Sequence, residues 1–267
     1  MFNLPEEYNQ EIKKAVEQEF VPLPFDAPFL WWMNGNAREK KTGGPPYFGG
    51  WAAHGEEFDN VLAAMGRNIP PTFKEYEMVN SQGSSYRIYA ARAVSVAVIG
   101  SRKRWRKDAI TGKSRSNLQV LAYMALYKGG KYEPWGPVVL STKGLSAKGL
   151  EDALNLWAKE TAKARRQFAD NLPAWWFYVP LGTFDKEPQV KMVGPQGNQS
   201  PITPIQVYFL SQTIDQDVLH SWFVGQEIAA TMIDLRRRAQ EWLDDWKGKQ
   251  YDQDIQPVVE EDNNIGF

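Results

Sequence analysis

The stretch that decides the fold is residues 85–128, which read SYRIYAARAVSVAVIGSRKRWRKDAITGKSRSNLQVLAYMALYK. Its even positions are apolar on both sides of the middle: Tyr86, Ile88, Ala90, Val94, Val96 and Val98 before it, and Leu118, Val120, Ala122, Met124 and Leu126 after it. A period of two is typical of a β-strand with one buried face. The stretch therefore predicts two long strands joined by a loop over residues 100–116.

That loop is strongly basic. Seven cations stand within fourteen residues, against the single carboxylate of Asp108: Arg102, Lys103, Arg104, Arg106, Lys107, Lys113 and Arg115. A run of charges often does no more than solvate a surface, and that alternative stays open. Cations interleaved with Trp105 also suit a single-stranded nucleic acid, whose phosphates contact the cations and whose bases stack on the ring. We predict the second role for this loop.

The odd positions of the two strands carry a second candidate set. Tyr89, Tyr123 and Tyr127 share this parity with Arg87, and successive side chains of a strand point to opposite faces. We expect the four side chains to face away from the core, beside the loop, and to contact nucleic acid. Each tyrosine taken singly is as well explained by packing.

The sequence offers few of the residues that catalysis commonly uses. The chain has no cysteine and only His54 and His220, which excludes thiolate metal sites and weighs against histidine chemistry. We find no carboxylate cluster with metal-ligand spacing. The expectation is a protein without enzymatic activity, cofactor or metal. No apolar run reaches membrane-spanning length and no signal-peptide pattern begins the chain, so we expect a cytoplasmic protein with no membrane partner.

The predicted elements run strand, long strand, strand, helix, strand, strand, with a helix over 146–169 and further helices at 6–20 and 216–247. This is the element order of the OB-fold. The predicted class is α+β: an OB-fold-like five-stranded barrel with a helix between strands 3 and 4, elaborated by N-terminal and long C-terminal helices. The predicted divisions are an N-terminal extension packed on the barrel (1–71), a nucleic-acid-binding core with its C-terminal helix (72–248) and a flexible acidic tail (249–267).

Charge is segregated along the chain. The net charge is −1, but residues 250–267 hold five carboxylates and no cation. The other residues hold 27 acids against 31 bases, a net charge of about +4. The overall balance therefore does not argue against a polyanionic partner.

The last eight residues are Glu260-Glu261-Asp262-Asn263-Asn264-Ile265-Gly266-Phe267. This tip resembles that of bacterial single-stranded DNA-binding proteins, which end in several aspartates followed by Ile-Pro-Phe. It is also similar to phage single-stranded DNA-binding proteins, whose OB body carries an acidic tail closed by an aromatic. Gly266 stands where the bacterial pattern has proline, and the larger body is closer to the phage type.

The resemblance implies a tail that recruits replication and recombination proteins. Ile265 and Phe267 would enter an apolar pocket of the partner, and Glu260, Glu261 and Asp262 would meet its basic rim. A merely solvated acidic end is the alternative. The resemblance leaves homo-oligomerisation open.

Together these patterns predict a sequence-tolerant single-stranded DNA-binding protein that protects or organises single strands in replication, recombination or repair. An RNA-binding module and a recombination mediator or annealing protein remain alternatives, since stacking and phosphate contact serve all of them.

Overall fold

The computed structural model describes residues 21–35, 49–79, 84–107, 114–184, 191–193, 200–208 and 214–245, with backbone alone at 79, 104–107, 114, 115, 200 and 201. The strands are β1 Phe29–Met33, β2 Gly50–His54, β3 Lys74–Val79, β4 Ser85–Ala91, β5 Ala93–Lys107, β6 Ser114–Lys128, β7 Lys131–Lys143, β8 Val179–Gly182, β9 Lys191–Val193, β10 Ser200–Ile202 and β11 Gln206–Val207. The helices are α1 Gly55–Ala64, α2 Leu145–Phe168, α3 Gln216–Trp222, α4 Gln226–Arg238 and α5 Gln240–Asp244, with a 3₁₀ turn at Ala174–Trp176.

Within the described residues, nine strands form one curled, mixed sheet in the order β11-β8-β5-β6-β7-β1-β2-β4-β3. Neighbouring strands are antiparallel except β1 and β7, which run parallel. The predicted five-stranded OB-type barrel is therefore wrong. Two features of the chain account for the difference: β1 and β2 enter the sheet from the predicted extension, and the first long strand is two strands.

The break in that strand falls at Arg92. β4 pairs with β2 and β3, whereas β5 pairs with β6 and β8, so the chain changes its place in the sheet between them. Two glycines allow the close approach. A Cβ on Gly50 would lie 2.3 Å from the carbonyl oxygen of Ala91, and one on Gly182 would lie 2.3 Å from that of Arg92. An apolar period of two does not reveal this break, because apolar residues stand at even positions on both sides of it. The face they point to nevertheless changes, since Tyr89 and Ala91 share a core cluster with Val94 and Val96.

Helices cover both faces of the central strands. α2, close to the helix predicted for 146–169, presents Leu150 and Trp157 to the face that holds Val96 and Val120. α4 and α5 cover the opposite face, where residues of odd number lie; its buried set includes Ala97, Ile99, Leu121, Tyr123, Ala125, Met232, Leu235 and Trp242. Strands buried on both faces have apolar side chains at both parities. The expectation of one solvent-facing side is thus wrong for these strands.

The predicted long C-terminal helix is also wrong as a single element. The chain is helical in three pieces: residues 223–225 leave the helix to contact the segment before β8, and a turn at Ala239 separates α4 from α5. The Val224 amide donates to the Trp176 carbonyl at 3.1 Å, and the Tyr178 amide donates to the Trp222 carbonyl at 2.8 Å. Gly225 has a φ of 84°, which favours glycine.

The predicted boundary at residue 71 and the two predicted terminal segments have different outcomes. Residues 29–33 and 50–54, inside the predicted extension, lie in the sheet, which therefore crosses the boundary set at residue 71. The predicted helix at 6–20 and the tail at 249–267 lie outside the described residues. Among the helices of the described part, none is long and apolar enough to cross a membrane.

Candidate nucleic-acid interface

The basic stretch is mostly strand rather than loop. β5 and β6 pair in register from Lys103 opposite Leu118 to Lys107 opposite Ser114. The pairing of β7 with β6 reaches only to Asn117, and β8 pairs with β5 only over its first residues. In the described part of the chain, residues 104–107 and 114–116 thus project as a two-stranded antiparallel ribbon, which we call the basic ribbon.

The register of the basic ribbon concentrates positive charge. Arg106 lies opposite Arg115, and Arg104, Trp105 and Lys107 flank that pair on β5. Like charges directly opposite each other destabilise an antiparallel pair. An anion bound along the ribbon would offset this cost.

Further cations stand at the base of the basic ribbon. Lys103 is 42% exposed, and its Nζ lies 2.8 Å from Oε2 of Glu151. The exposed Lys143 is the register partner of Asn117, and the exposed Lys148 lies in the first turn of α2. The Gly144 amide donates to the Ser116 carbonyl at 2.7 Å, which fixes the start of α2 beside the ribbon. The sequence alone does not indicate Lys143 or Lys148, because strand register places Lys143 here and the contact between Gly144 and Ser116 places the first turn of α2.

Arg102 belongs to the core, not to the interface. The Arg102 side chain is 0% exposed, and its Nη1 lies 3.7 Å from Oδ2 of Asp245. The Asp245 side chain is 5% exposed. Nε donates to Gln119 Oε1 at 2.9 Å and Nη1 donates to the Trp242 carbonyl at 2.8 Å. The guanidinium stacks 3.7 Å from the Trp242 ring centre. The predicted phosphate contact by Arg102 is corrected: this arginine holds the last helix against the sheet.

Tyr89 and Tyr123 are buried as well, so the expectation that they face solvent is wrong. Tyr89 packs on Phe58 with ring centres 5.6 Å apart, and Tyr123 packs on the sheet face covered by α4. Burial raises the pKa of both phenols. The physical reason is the helix layer on each side of the sheet, which leaves neither ring available to a base.

Arg87 and Tyr127 are exposed but stand away from the basic ribbon. Arg87 lies on β4, several strands away in the sheet, and pairs with Asp59 and, at 4.0 Å, with Glu75. Tyr127 is 63% exposed at the far end of β6. A strand rises about 3.3 Å per residue, so Tyr127 lies about 40 Å from Ser114. The structure does not bring these two residues together with the ribbon cations.

The other predicted site residues lie outside what the structure describes. Lys113 and the tail residues Glu260, Glu261, Asp262, Ile265 and Phe267 fall outside the described ranges, as do the side chains of Arg104, Trp105, Arg106, Lys107 and Arg115. Their proposed contacts stay predictions. Within the described residues, no three His, Asp or Glu side chains are grouped to hold a metal ion.

No protein-family model matches this chain, and no curated protein or solved structure matches it either. What the protein binds therefore has to follow from the chemistry of its own residues.

Proposed function

We propose that this protein binds single-stranded DNA without sequence preference, through the basic ribbon and the lysines at its base. The observation that carries the proposal is the register that sets Arg106 opposite Arg115 at the end of a projecting hairpin. A ribbon of cations tracks a phosphate backbone, and an aromatic residue among them can stack on any base. The proposal assigns that stacking to Trp105.

The charge around the ribbon favours an extended polyanion over a single anion. Lys103, Lys143 and Lys148 continue the positive charge from the ribbon onto the sheet and α2. Lys103 is paired with Glu151, and an exposed ion pair contributes at most about 1 kcal/mol. A phosphate can therefore displace Glu151 from Lys103 at little cost.

The acidic tail completes the proposal as a recruiting segment. Asp245, the last described residue, is held by Arg102, whose neighbour Lys103 begins the basic end of the hairpin. The five carboxylates of residues 250–267 are of the right sign to compete with phosphate there. Recruitment of replication or recombination proteins by Ile265 and Phe267 rests on the resemblance of the tip alone.

A binding titration at several salt concentrations tests the function. We expect oligo-dT to bind more tightly than duplex DNA of equal length, because only unpaired bases can stack on Trp105. Affinity should fall steeply with salt, with a logarithmic slope of roughly −0.7 for each phosphate contacted.

The same titration with oligo-U separates DNA from RNA, whose 2′-hydroxyl is the group that differs. Tighter binding of oligo-U would favour the RNA-binding alternative. Absence of binding at low salt, or an affinity for oligo-dT that salt does not change, would contradict the proposal.

A further inference from the structure

A cleft of about 510 Å³ opens at the end of the β5–β6 hairpin opposite the basic ribbon. Met124 and Trp222 form buried parts of its lining, while Tyr127 and Tyr208 are 63% and 45% exposed. The Tyr208 ring lies 5.0 Å from that of Phe184. We call this site the aromatic cleft. Its volume lies in the range of about 300–1,000 Å³ that small-molecule sites occupy.

The lining of the aromatic cleft is neutral. None of the described residues that form it is a lysine, arginine, histidine, aspartate or glutamate. Burial raises the pKa of Tyr132, a shift that its hydrogen bond with Ser95 offsets only in part, so this phenol stays uncharged at neutral pH. The Ser221 hydroxyl donates to the Val218 carbonyl at 2.7 Å, which leaves its oxygen able to accept from a ligand. A flat, uncharged group with polar edges suits this lining.

Two exposed lysines adjoin the lining residues of the cleft along β6 and β7. The register sets Lys128 opposite Lys131, one residue beyond the pair Tyr127 and Tyr132, and both lysines are exposed. The rings of Tyr127 and Tyr132 are 5.1 Å apart. A neutral aromatic cleft beside a like-charged lysine pair is complementary to a nucleotide, with its uncharged base inside and its phosphates outside. An apolar peptide would offer no negative charge to the two lysines.

We propose that the aromatic cleft holds an unpaired base of the strand whose backbone contacts the basic ribbon. This inference rests on the proposed function and adds a second contact point. The two points are separated by the length of β5 from Ser95 to Lys107, about 40 Å at about 3.3 Å per residue. Only a strand long enough to span that length reaches both, so the cleft should contribute to long oligonucleotides more than the ribbon alone can explain.

The test compares Tyr127→Ala and Tyr208→Ala with the wild-type protein, using oligo-dT of about 16 nucleotides and an abasic strand of the same length. Losing one stacked base is expected to weaken oligo-dT binding about 5- to 150-fold. Binding of the abasic strand should change less than about twofold. The control is Tyr86→Ala, which removes a tyrosine that is 38% exposed on β4 and lies outside the cleft. Its affinity should match the wild type.

Each outcome decides the inference. Equal losses with oligo-dT and the abasic strand would show contact with the backbone rather than a base and would overturn it. Unchanged oligo-dT affinity in both cleft variants would overturn it while the proposed function stands; a changed sedimentation coefficient in those variants would then assign the cleft to a second copy of the chain. Failure of the wild-type protein to bind oligo-dT would remove the proposed function and this inference together. The two exposed positions give independent variants should one of them lower the melting temperature.

Discussion

Replacing Arg102 with alanine is expected to lower the free energy of unfolding by about 3–5 kcal/mol, the typical cost of removing one partner of a buried ion pair. Asp245 would be left buried without its counter-charge, and Gln119 and the Trp242 carbonyl would lose a donor. The stacked Trp242 ring would face a cavity. Denaturant unfolding, followed by circular dichroism, measures the change directly.

Lys103→Ala is the matched control, because it removes the neighbouring cation from an exposed ion pair with Glu151. Such pairs contribute about 0–1 kcal/mol, so its stability should stay close to that of the wild type. Equal, small losses in both variants would show that Arg102 does not anchor α5. The prediction also has a practical consequence: Arg102 has to be left intact in any variant that tests the charge of the ribbon.

Reversing Arg104, Arg106 and Arg115 together to glutamate is expected to abolish detectable oligo-dT binding at an ionic strength of about 0.15 M. Each reversal replaces an attraction to phosphate by a repulsion, and the Debye length of about 8 Å does not screen contacts made within the ribbon. If weak binding persists at low salt, its logarithmic salt slope should be smaller by about 2, from three lost contacts at roughly 0.7 each.

The matched control reverses three exposed cations of α2, Lys159, Lys163 and Arg166. Its net charge equals that of the ribbon variant. Lys159, the changed residue nearest the ribbon end of α2, lies about 20 Å along the helix from Leu145. We expect its oligo-dT affinity to fall only by the weak effect of net charge. Similar losses in both variants would indicate general charge attraction, not a ribbon site. Melting temperatures of both variants show whether folding is intact.

The strands could be predicted from the sequence where one parity is apolar, but their arrangement could not. The alternation from Tyr86 to Val98 continues through Arg92 although the chain changes neighbours there, and only the close approaches at Gly50 and Gly182 mark the break. Ala97, Ile99, Leu121 and Ala125 were a visible signal that the odd face is buried too. This second apolar set is the signal in the sequence that places Tyr123 in the core.

Part of the candidate site could be predicted from the sequence, and part could not. Charge density in residues 102–115 is a property of the sequence, so the basic ribbon could be found without coordinates. The role of Arg102 could not, because its partners Trp242 and Asp245 are about 140 residues away and no local pattern connects them. The place of Lys143 likewise depends on strand register, and the aromatic cleft depends on α3 and β5 lining the same space, which only the fold supplies.

Photo-cross-linking is the measurement that tests the central claim most directly. Oligo-dT carrying photoreactive bases is bound to the full chain at low salt and irradiated, and the cross-linked peptides are identified by mass spectrometry. The account predicts cross-links within residues 104–116, with Trp105 prominent, that are lost when unlabelled oligo-dT is added in excess. Cross-links confined to other parts of the chain, with none in residues 104–116, would contradict it.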